Sequence, residues 1–299
     1  MRKLRIPMKQ YRYKKIDAFT SGESPGNPAA CLFTGKEKLS EDEMLSIAKQ
    51  HKGFVSEVVF CSESETADCK LTYYSSECEV DFCGHGTIAA MYELIKNDEM
   101  LLSKKELVID TNKKGRLTIY NRIAEEDAVY ITAPQAQYLT VPASVADIAK
   151  ALNISVSAVS KRLPVDFIDA GLKTLIVPIN DYETEISIFP DEKVLKKFCL
   201  DKDIDIVLIF SKETGQADFM AHTRVFAPKF GYLEDPATGS GNSAFGNYML
   251  KNSLWDGSLV AVEQGGNDRV FNTVKLTTRG KDILFGGRTT LRIDGVYIL

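Results

Sequence analysis

The chain has 299 residues, of which 44% are hydrophobic and 26% charged, and its formal net charge is −4. This is enough chain for two buried cores, and the composition excludes a disordered protein. No apolar run reaches the roughly 20 residues of a membrane helix, and the acidic balance argues against a general nucleic-acid binder. Six cysteines in a chain this long do not make the disulfide framework of a small secreted domain; they point to a reducing cytoplasm.

The basic opening stretch, with Arg2, Lys3, Arg5, Lys9, Arg12, Lys14 and Lys15, lacks the apolar segment of a signal peptide and is expected to be a solvated lead-in to the first strand. Tyr11–Phe19 and Ala29–Phe33 are predicted strands around the loop Ser24-Pro25-Gly26-Asn27-Pro28. Ser40 followed by Glu43 is a capping box opening a helix to about Gln50. Val55–Cys61 and Ala67–Tyr74 have strand composition. Gly84-His85-Gly86-Thr87 then starts a helix, and Leu107–Asp110 and Leu117–Tyr120 are expected to form a hairpin. In the second half, Ser144–Leu152 is a predicted helix, Lys173–Pro178, Ile204–Phe210 and Ala217–Phe226 predicted strands, and Asp235-Pro236-Ala237-Thr238-Gly239-Ser240-Gly241 leads into another helix.

The two glycine motifs are related. The Gly-x-Gly turns begin at 84 and 239, and the helices end on Lys96-Asn97 and Lys251-Asn252, so starts and ends keep the same separation of 155 residues. Val55–Phe60 and Ala67-Asp68 have later counterparts in Ile204–Phe210 and Ala217-Asp218. The shared order argues for an internal duplication, with about five extra residues expected in the loop before the second motif. It predicts an α+β protein of two similar lobes, each a sheet around a central helix. The first lobe is expected over 1–125, completed by strands within 274–299, and the second over 126–273. Each helix start offers unpaired N–H groups and a positive dipole end, which suit a carboxylate.

Several side chains could carry chemistry. Glu57, flanked by apolar β-branched residues at a strand start, is a carboxyl whose pKa a partly dry site would raise toward neutrality; it also fits a surface glutamate on an edge strand. His85 fits a proton shuttle or a packing histidine. Asp235 fits a substrate contact or a plain Asp-Pro turn, and Ser240 an anion ligand or a simple helix cap. The loose dinucleotide pattern at Gly84 and Gly239 lacks its usual strand context. No phosphate loop is present, and Cys78, Cys83 and His85 lack a fourth ligand at zinc spacing, so no metal is expected. A two-thiol racemase would use Cys83, but no cysteine follows Cys199, so its second thiol is missing and Cys83 is read as a packing residue. His51 and His222 are read as structural.

Four segments together resemble the PhzF-like family of phenazine-biosynthesis isomerase relatives. They are Asp17-Ala18-Phe19 with Gly26-Asn27-Pro28-Ala29-Ala30, Ser56–Phe60, Phe82–Thr87, and Glu234–Gly241. The resemblance spans nearly the whole chain and implies a diaminopimelate epimerase-like fold of two pseudo-symmetric lobes. It implies an isomerase without cofactor or metal, in which Glu57 moves a proton on a carboxylate-bearing small molecule and His85 and Asp235 complete the catalytic set. Asn27, Gly84, Gly86, Gly239, Ser240, Gly241, Gln264 and Gly265 are the implied substrate contacts. The family pattern allows a homodimer, and no sequence feature here shows one. One departure stands out: Gly86 replaces the proline common after Gly-His, which keeps an N–H and is expected to loosen the turn. An amino-acid epimerase using Cys83 and a non-catalytic binding protein are the competing readings.

Overall fold

A computed structural model describes residues 9–266 and 268–299; the basic residues Arg2, Lys3 and Arg5 lie outside them. Among the described residues, no helix is long and apolar enough to cross a membrane. The first half of the chain gives β1 (Gln10–Ala18), β2 (Asn27–Gly35), α1 (Glu41–Gln50), β3 (Glu57–Ser62), β4 (Cys69–Ser75), β5 (Glu79–Val80), α2 (Gly84–Lys96), α3 (Glu99–Leu102), β6 (Glu106–Thr111), β7 (Gly115–Arg122), α4 (Ile123–Glu126) and β8 (Ala128–Thr132). Then follow β9 (Gln137–Leu139), α5 (Val145–Ala151), β10 (Asp166–Asp169), β11 (Lys173–Pro178), α6 (Tyr182–Ile186), α7 (Glu192–Asp201), β12 (Ile206–Ser211), β13 (His222–Phe226), β14 (Glu234–Asp235), α8 (Gly239–Lys251), β15 (Val260–Gln264), β16 (Asn272–Arg279), β17 (Asp282–Gly287) and β18 (Thr289–Ile298).

These elements divide into two compact units. The first holds residues 9–18, Pro28–Val129 and Arg288–Leu299, the second Phe19–Asn27 and Tyr130–Gly287. Of the C-terminal strands only β18 serves the first unit, by antiparallel pairing with β1. The expectation that strands within 274–299 complete the first lobe is corrected for 274–278 alone: β16 pairs with β15 and β17, all in the second unit.

In the first unit, β2 runs parallel to β3, β3 antiparallel to β4, β4 parallel to β6, and β6 antiparallel to β7. In the second, β11 runs parallel to β12, β12 antiparallel to β13, β13 parallel to β15, and β15 antiparallel to β16. The same order of ladders repeats, and so does the register. Tyr74 faces Glu79 as Phe226 faces Glu234, and Leu71 faces Thr111 as Thr223 faces Gln264. With Tyr74 matched to Phe226, the ladder pairs Val58–Tyr74 and Val207–Phe226 place Ile206 at the position of Glu57. The predicted strand over 217–226 is shorter than expected. It begins at His222, and Asp218 sits at a left-handed φ of 70°, so the extra residues fall partly before β13 and partly in the loop after it.

Each unit is built around one buried helix. Nine of the 13 residues of α2 are buried, against β1, β3 and β18; nine of the 13 in α8 are buried, against β10, β11, β12, β16 and β17. The buried charged residue on α2, Glu93, is paired with buried Lys14 of β1 and accepts from Asn97 Nδ2, as a buried charge requires. Peripheral helices close the outer faces. Met44, Ile47 and Ala48 of α1 pack on Leu32, Val58 and Phe60, while Ile148 and Ala151 of α5 and Leu195 and Cys199 of α7 pack on Leu175, Val177, Val207 and Ile209. The capping box of α1 is complete: Glu43 N–H donates to Ser40 Oγ at 3.2 Å, and Ser40 N–H to Glu43 Oε2 at 2.8 Å.

The first residue of α8 has no room for a side chain. A Cβ on Gly239 would lie 2.2 Å from Cε2 of Phe285, itself 1% exposed. Gly239→Ala should therefore destabilise the protein by about 1–3 kcal/mol through overpacking, read as a lowered denaturant midpoint. Gly295→Ala, where a Cβ meets nothing within 4 Å, should leave the midpoint unchanged or slightly raised.

Candidate active site

Glu57 opens β3 with Ala29 on one side and Ser75 on the other, so it lies on an internal strand and not at an edge. Its carboxylate Oε2 is buried without a hydrogen-bond partner and lies 3.4 Å from His85 Nε2; the Glu57 side chain is 21% exposed and the His85 side chain 13%. The approach is close enough for charge attraction, without the alignment of a hydrogen bond. His85 stands second in α2, and Cys83 caps that helix. Cys83 Sγ accepts from Gly86 N–H at 3.3 Å and lies 3.5 Å from His85 Nδ1 and 3.8 Å from Nε2. The carbonyl of Cys83 accepts from Thr87 N–H at 2.9 Å and Thr87 Oγ1 at 2.7 Å, and Tyr73 Oη bonds Thr87 Oγ1. This web leaves the first-turn N–H groups of Gly84 and His85 unused by the helix ladder, as at any helix start.

Gly86 is required for space and not for freedom. A Cβ there would lie 2.8 Å from Val59 Cγ2 and 2.9 Å from Cys83 Sγ. Its N–H, which proline would lack, is the one that Cys83 binds. The expected loosening of the turn is thus corrected: the N–H is part of a cap, and Gly86 itself is buried.

In the second unit the matching helix start is strapped down differently. Thr238 stands at the cap of α8, but its side chain makes no capping bond to the helix. Gln264, fully buried, takes over. Its Oε1 accepts from Thr238 N–H at 2.8 Å and Asn242 Nδ2 at 2.7 Å, while its Nε2 donates to the Asp235 carbonyl and Thr238 Oγ1. Every polar atom of Gln264 is engaged, so it shapes the helix start and has nothing left to offer a ligand. Asp235, 8% exposed, accepts on Oδ1 from Asn27 Nδ2 at 2.8 Å; Asn27 also holds the Ala237 carbonyl. Asn272 completes the strap, accepting from Gly26 N–H and donating to the Pro236 carbonyl. Asn27 and Asp235 therefore fix each other. Ser240 is half-buried in the first turn, and a Cβ on Gly241 would touch Ile206 Cδ1 at 3.3 Å, so Ile206 approaches the second helix start as Glu57 approaches the first. Gly265 has φ 73° and gives its N–H to the Thr223 carbonyl, a backbone position that favours glycine.

Sequence reasoning missed Asn242, Asn272 and the buried group behind Gly265. His222 and Glu185, both fully buried, stand 3.1 Å apart (Nδ1 to Oε1), and His222 Nε2 contacts the Gly265 carbonyl at 2.9 Å. The 3.1 Å contact is an ion-pair approach lacking hydrogen-bond alignment. Tyr182 and Phe271 pack edge-on against the imidazole. Glu263 turns away to accept from Gly215 and Gln216 N–H, and Arg224 NH1 is spent on the carbonyls of Glu185, Ile186 and Ile188.

The profile of the phenazine biosynthesis-like proteins, PhzC-PhzF, matches residues 16–284. A protein of Bacillus subtilis, named uncharacterized isomerase YfhB, is 35% identical over 262 residues, covering 86% of this chain and 87% of that one. The crystal structure of a phenazine biosynthesis protein of the PhzF family from Bacillus anthracis superposes with a TM-score of 0.84 at 25% identity, over 98% of this chain and all of that one. A hydroxyproline epimerase from Agrobacterium vitis, solved with trans-4-hydroxy-L-proline, shares the fold at a TM-score of 0.57 and 12% identity, over 98% and 92% of the two chains. The molecule is thus an isomerase of the pseudo-symmetric α+β, diaminopimelate epimerase-like type. The chain belongs to the phenazine biosynthesis-like, or PhzF, family.

The buried pair behind Gly265 makes stability depend on pH. Burial, partly offset by His222 and Arg224, lifts Glu185 from 4.5 to about 7. For His222, burial is the largest single influence and opposes its charge, but Glu185, the Gly265 carbonyl and Glu263 together outweigh it and raise the pKa. Both shifts have one sign. Between 4.5 and about 7 the folded pair keeps protons that the unfolded chain has released, so its contribution falls as pH rises through that window. The melting temperature of Glu185→Gln should therefore fall less than that of the wild type from about pH 5 to about pH 8. Parallel curves would contradict this.

Proposed function

We propose that this isomerase works without a cofactor, moving a proton, and with it a double bond, on a small carboxylate-bearing substrate, with Glu57 removing and returning the proton. The observation that carries this reading is the Glu57 Oε2 atom, which is buried, has no hydrogen-bond partner and lies beside His85 at the start of α2. A carboxylate oxygen left unpaired in a partly dry place is chemically committed to very little else. Moving a double bond relative to a carboxylate needs one proton taken and one returned, and one carboxyl can do both in turn. His85 would hold or polarise the substrate, and the first-turn N–H groups of Gly84 and His85 would bind its carboxylate. In the second unit, Asn27 and Asp235 hold the loop before α8, leaving Ser240 and the turn at Gly239 and Gly241 as its anion-binding elements.

The thiol epimerase reading is disfavoured by the repeat itself. The position matching Cys83 is Thr238, and the one matching Glu57 is Ile206, so neither matching position carries a thiol or an acid.

The test is a screen of carboxylate-bearing metabolites for solvent deuterium entering carbon positions. Once a substrate is found, Glu57→Gln should lower kcat by about 10²–10⁴-fold, with Cys83→Ala retaining exchange. Turnover near wild type in Glu57→Gln, or exchange lost only in Cys83→Ala, would overturn the assignment.

A further inference from the structure

The side chains at the start of α2 form a second kind of site besides an acid–base pair. Glu57, Cys83 and His85 each offer a ligand atom, and the three atoms lie within 4.8 Å of one another. The sequence pointed away from zinc because Cys78, Cys83 and His85 have no fourth partner at the usual spacing. In the folded chain Cys78 stays outside the group and Glu57 of β3 enters it.

The separations fit a tetrahedral ion. Zinc–sulfur bonds of about 2.3 Å and zinc–nitrogen or zinc–oxygen bonds of about 2.0–2.1 Å put nitrogen and oxygen about 3.3 Å apart and sulfur and nitrogen about 3.5 Å apart around one metal. For Nε2, the nitrogen that faces Glu57, the nitrogen–oxygen separation is 3.4 Å and the sulfur–nitrogen separation 3.8 Å, and the sulfur lies within 4.8 Å of the carboxylate. Cys83 is held as a helix cap and the Glu57 backbone by the ladders on both sides of β3, so side-chain rotation closes the remaining gap. The Gly86 N–H that reaches Cys83 Sγ supports a thiolate, as hydrogen-bond donors to ligand atoms do at metal sites, and the helix start favours that anion. The partnerless Oε2 gives the group a carboxylate ligand with no bond to lose.

We propose that Glu57, Cys83 and His85 bind a thiophilic divalent cation such as zinc, through Oε2, Sγ and an imidazole nitrogen, with a fourth position open to water. Binding releases the thiol proton to solvent. The ion occupies the oxygen that proton transfer would use, so in the isomerase it acts as an inhibitor; that clause alone rests on the reading of Glu57 given above.

The test needs no substrate. The chelator-treated full chain is titrated with zinc by calorimetry and with cobalt(II) by absorption. One equivalent per chain should bind, with a thiolate-to-cobalt charge-transfer band and tetrahedral visible bands. Cys83→Ser, which keeps a capping group, should abolish the charge-transfer band and weaken zinc binding at least about tenfold. Glu57→Gln and His85→Gln should each weaken binding at least about tenfold with the fold intact by circular dichroism, and Cys78→Ser, at an exposed thiol, should bind as wild type. A charge-transfer band surviving Cys83→Ser, octahedral cobalt spectra, or equal zinc affinity in wild type and all three ligand variants would overturn the proposal, whatever the fate of the isomerase reading.

Discussion

A helix buried along most of its length has to account for the N–H groups of its first turn, because water cannot reach them freely and an unpaired buried donor costs about 1–3 kcal/mol. Both α2 and α8 are such helices, and much of the described site follows from how each meets that demand. In the first unit the cap is a thiol, backed by Thr87 and Tyr73. In the second it is a carboxamide from another strand, Gln264, backed by Asn242 and by the Asn27–Asp235–Asn272 strap. The glycines at these starts then admit close neighbours, Val59 at Gly86 and Phe285 at Gly239.

The repeat preserves this architecture and breaks its chemistry. Ladder order and register agree between the units, yet the acid, thiol and imidazole of the first are answered in the second by Ile206, Thr238 and Ser240. Ile206 packs where a charge would need a partner. The second helix start keeps a hydroxyl and open backbone, groups that hold an anion without exchanging protons with carbon. On the proposed mechanism, reactivity is thereby confined to one of two similar helix starts.

Much of this was legible in the sequence because it lies in short-range patterns. The capping box at Ser40, the two Gly-x-Gly helices, the hairpin of β6 and β7 and the equal spacing of 155 residues from 84 to 239 and from 96 to 251 are all local signals. What escaped depends on partners far apart in the chain. Nothing near Gln264 announces that it caps a helix starting 25 residues earlier, at Gly239. Nothing near His222 announces Glu185, and nothing near Cys83 announces that Glu57 gathers beside it and His85. The placing of 274–278 in the first lobe went astray for the same reason: only pairing shows that β16 stays with the second unit while β18 joins the first.

On the proposed mechanism a single carboxyl, Glu57, both takes and returns the proton. It is tested most directly by following deuterium from a substrate labelled at the carbon that loses hydrogen, through one turnover in ordinary water. A single carboxyl returns part of the label to the new carbon, so product carrying transferred deuterium is the predicted result. Complete replacement of the label by solvent hydrogen within that one turnover, as two separate acid–base groups would give, would contradict it.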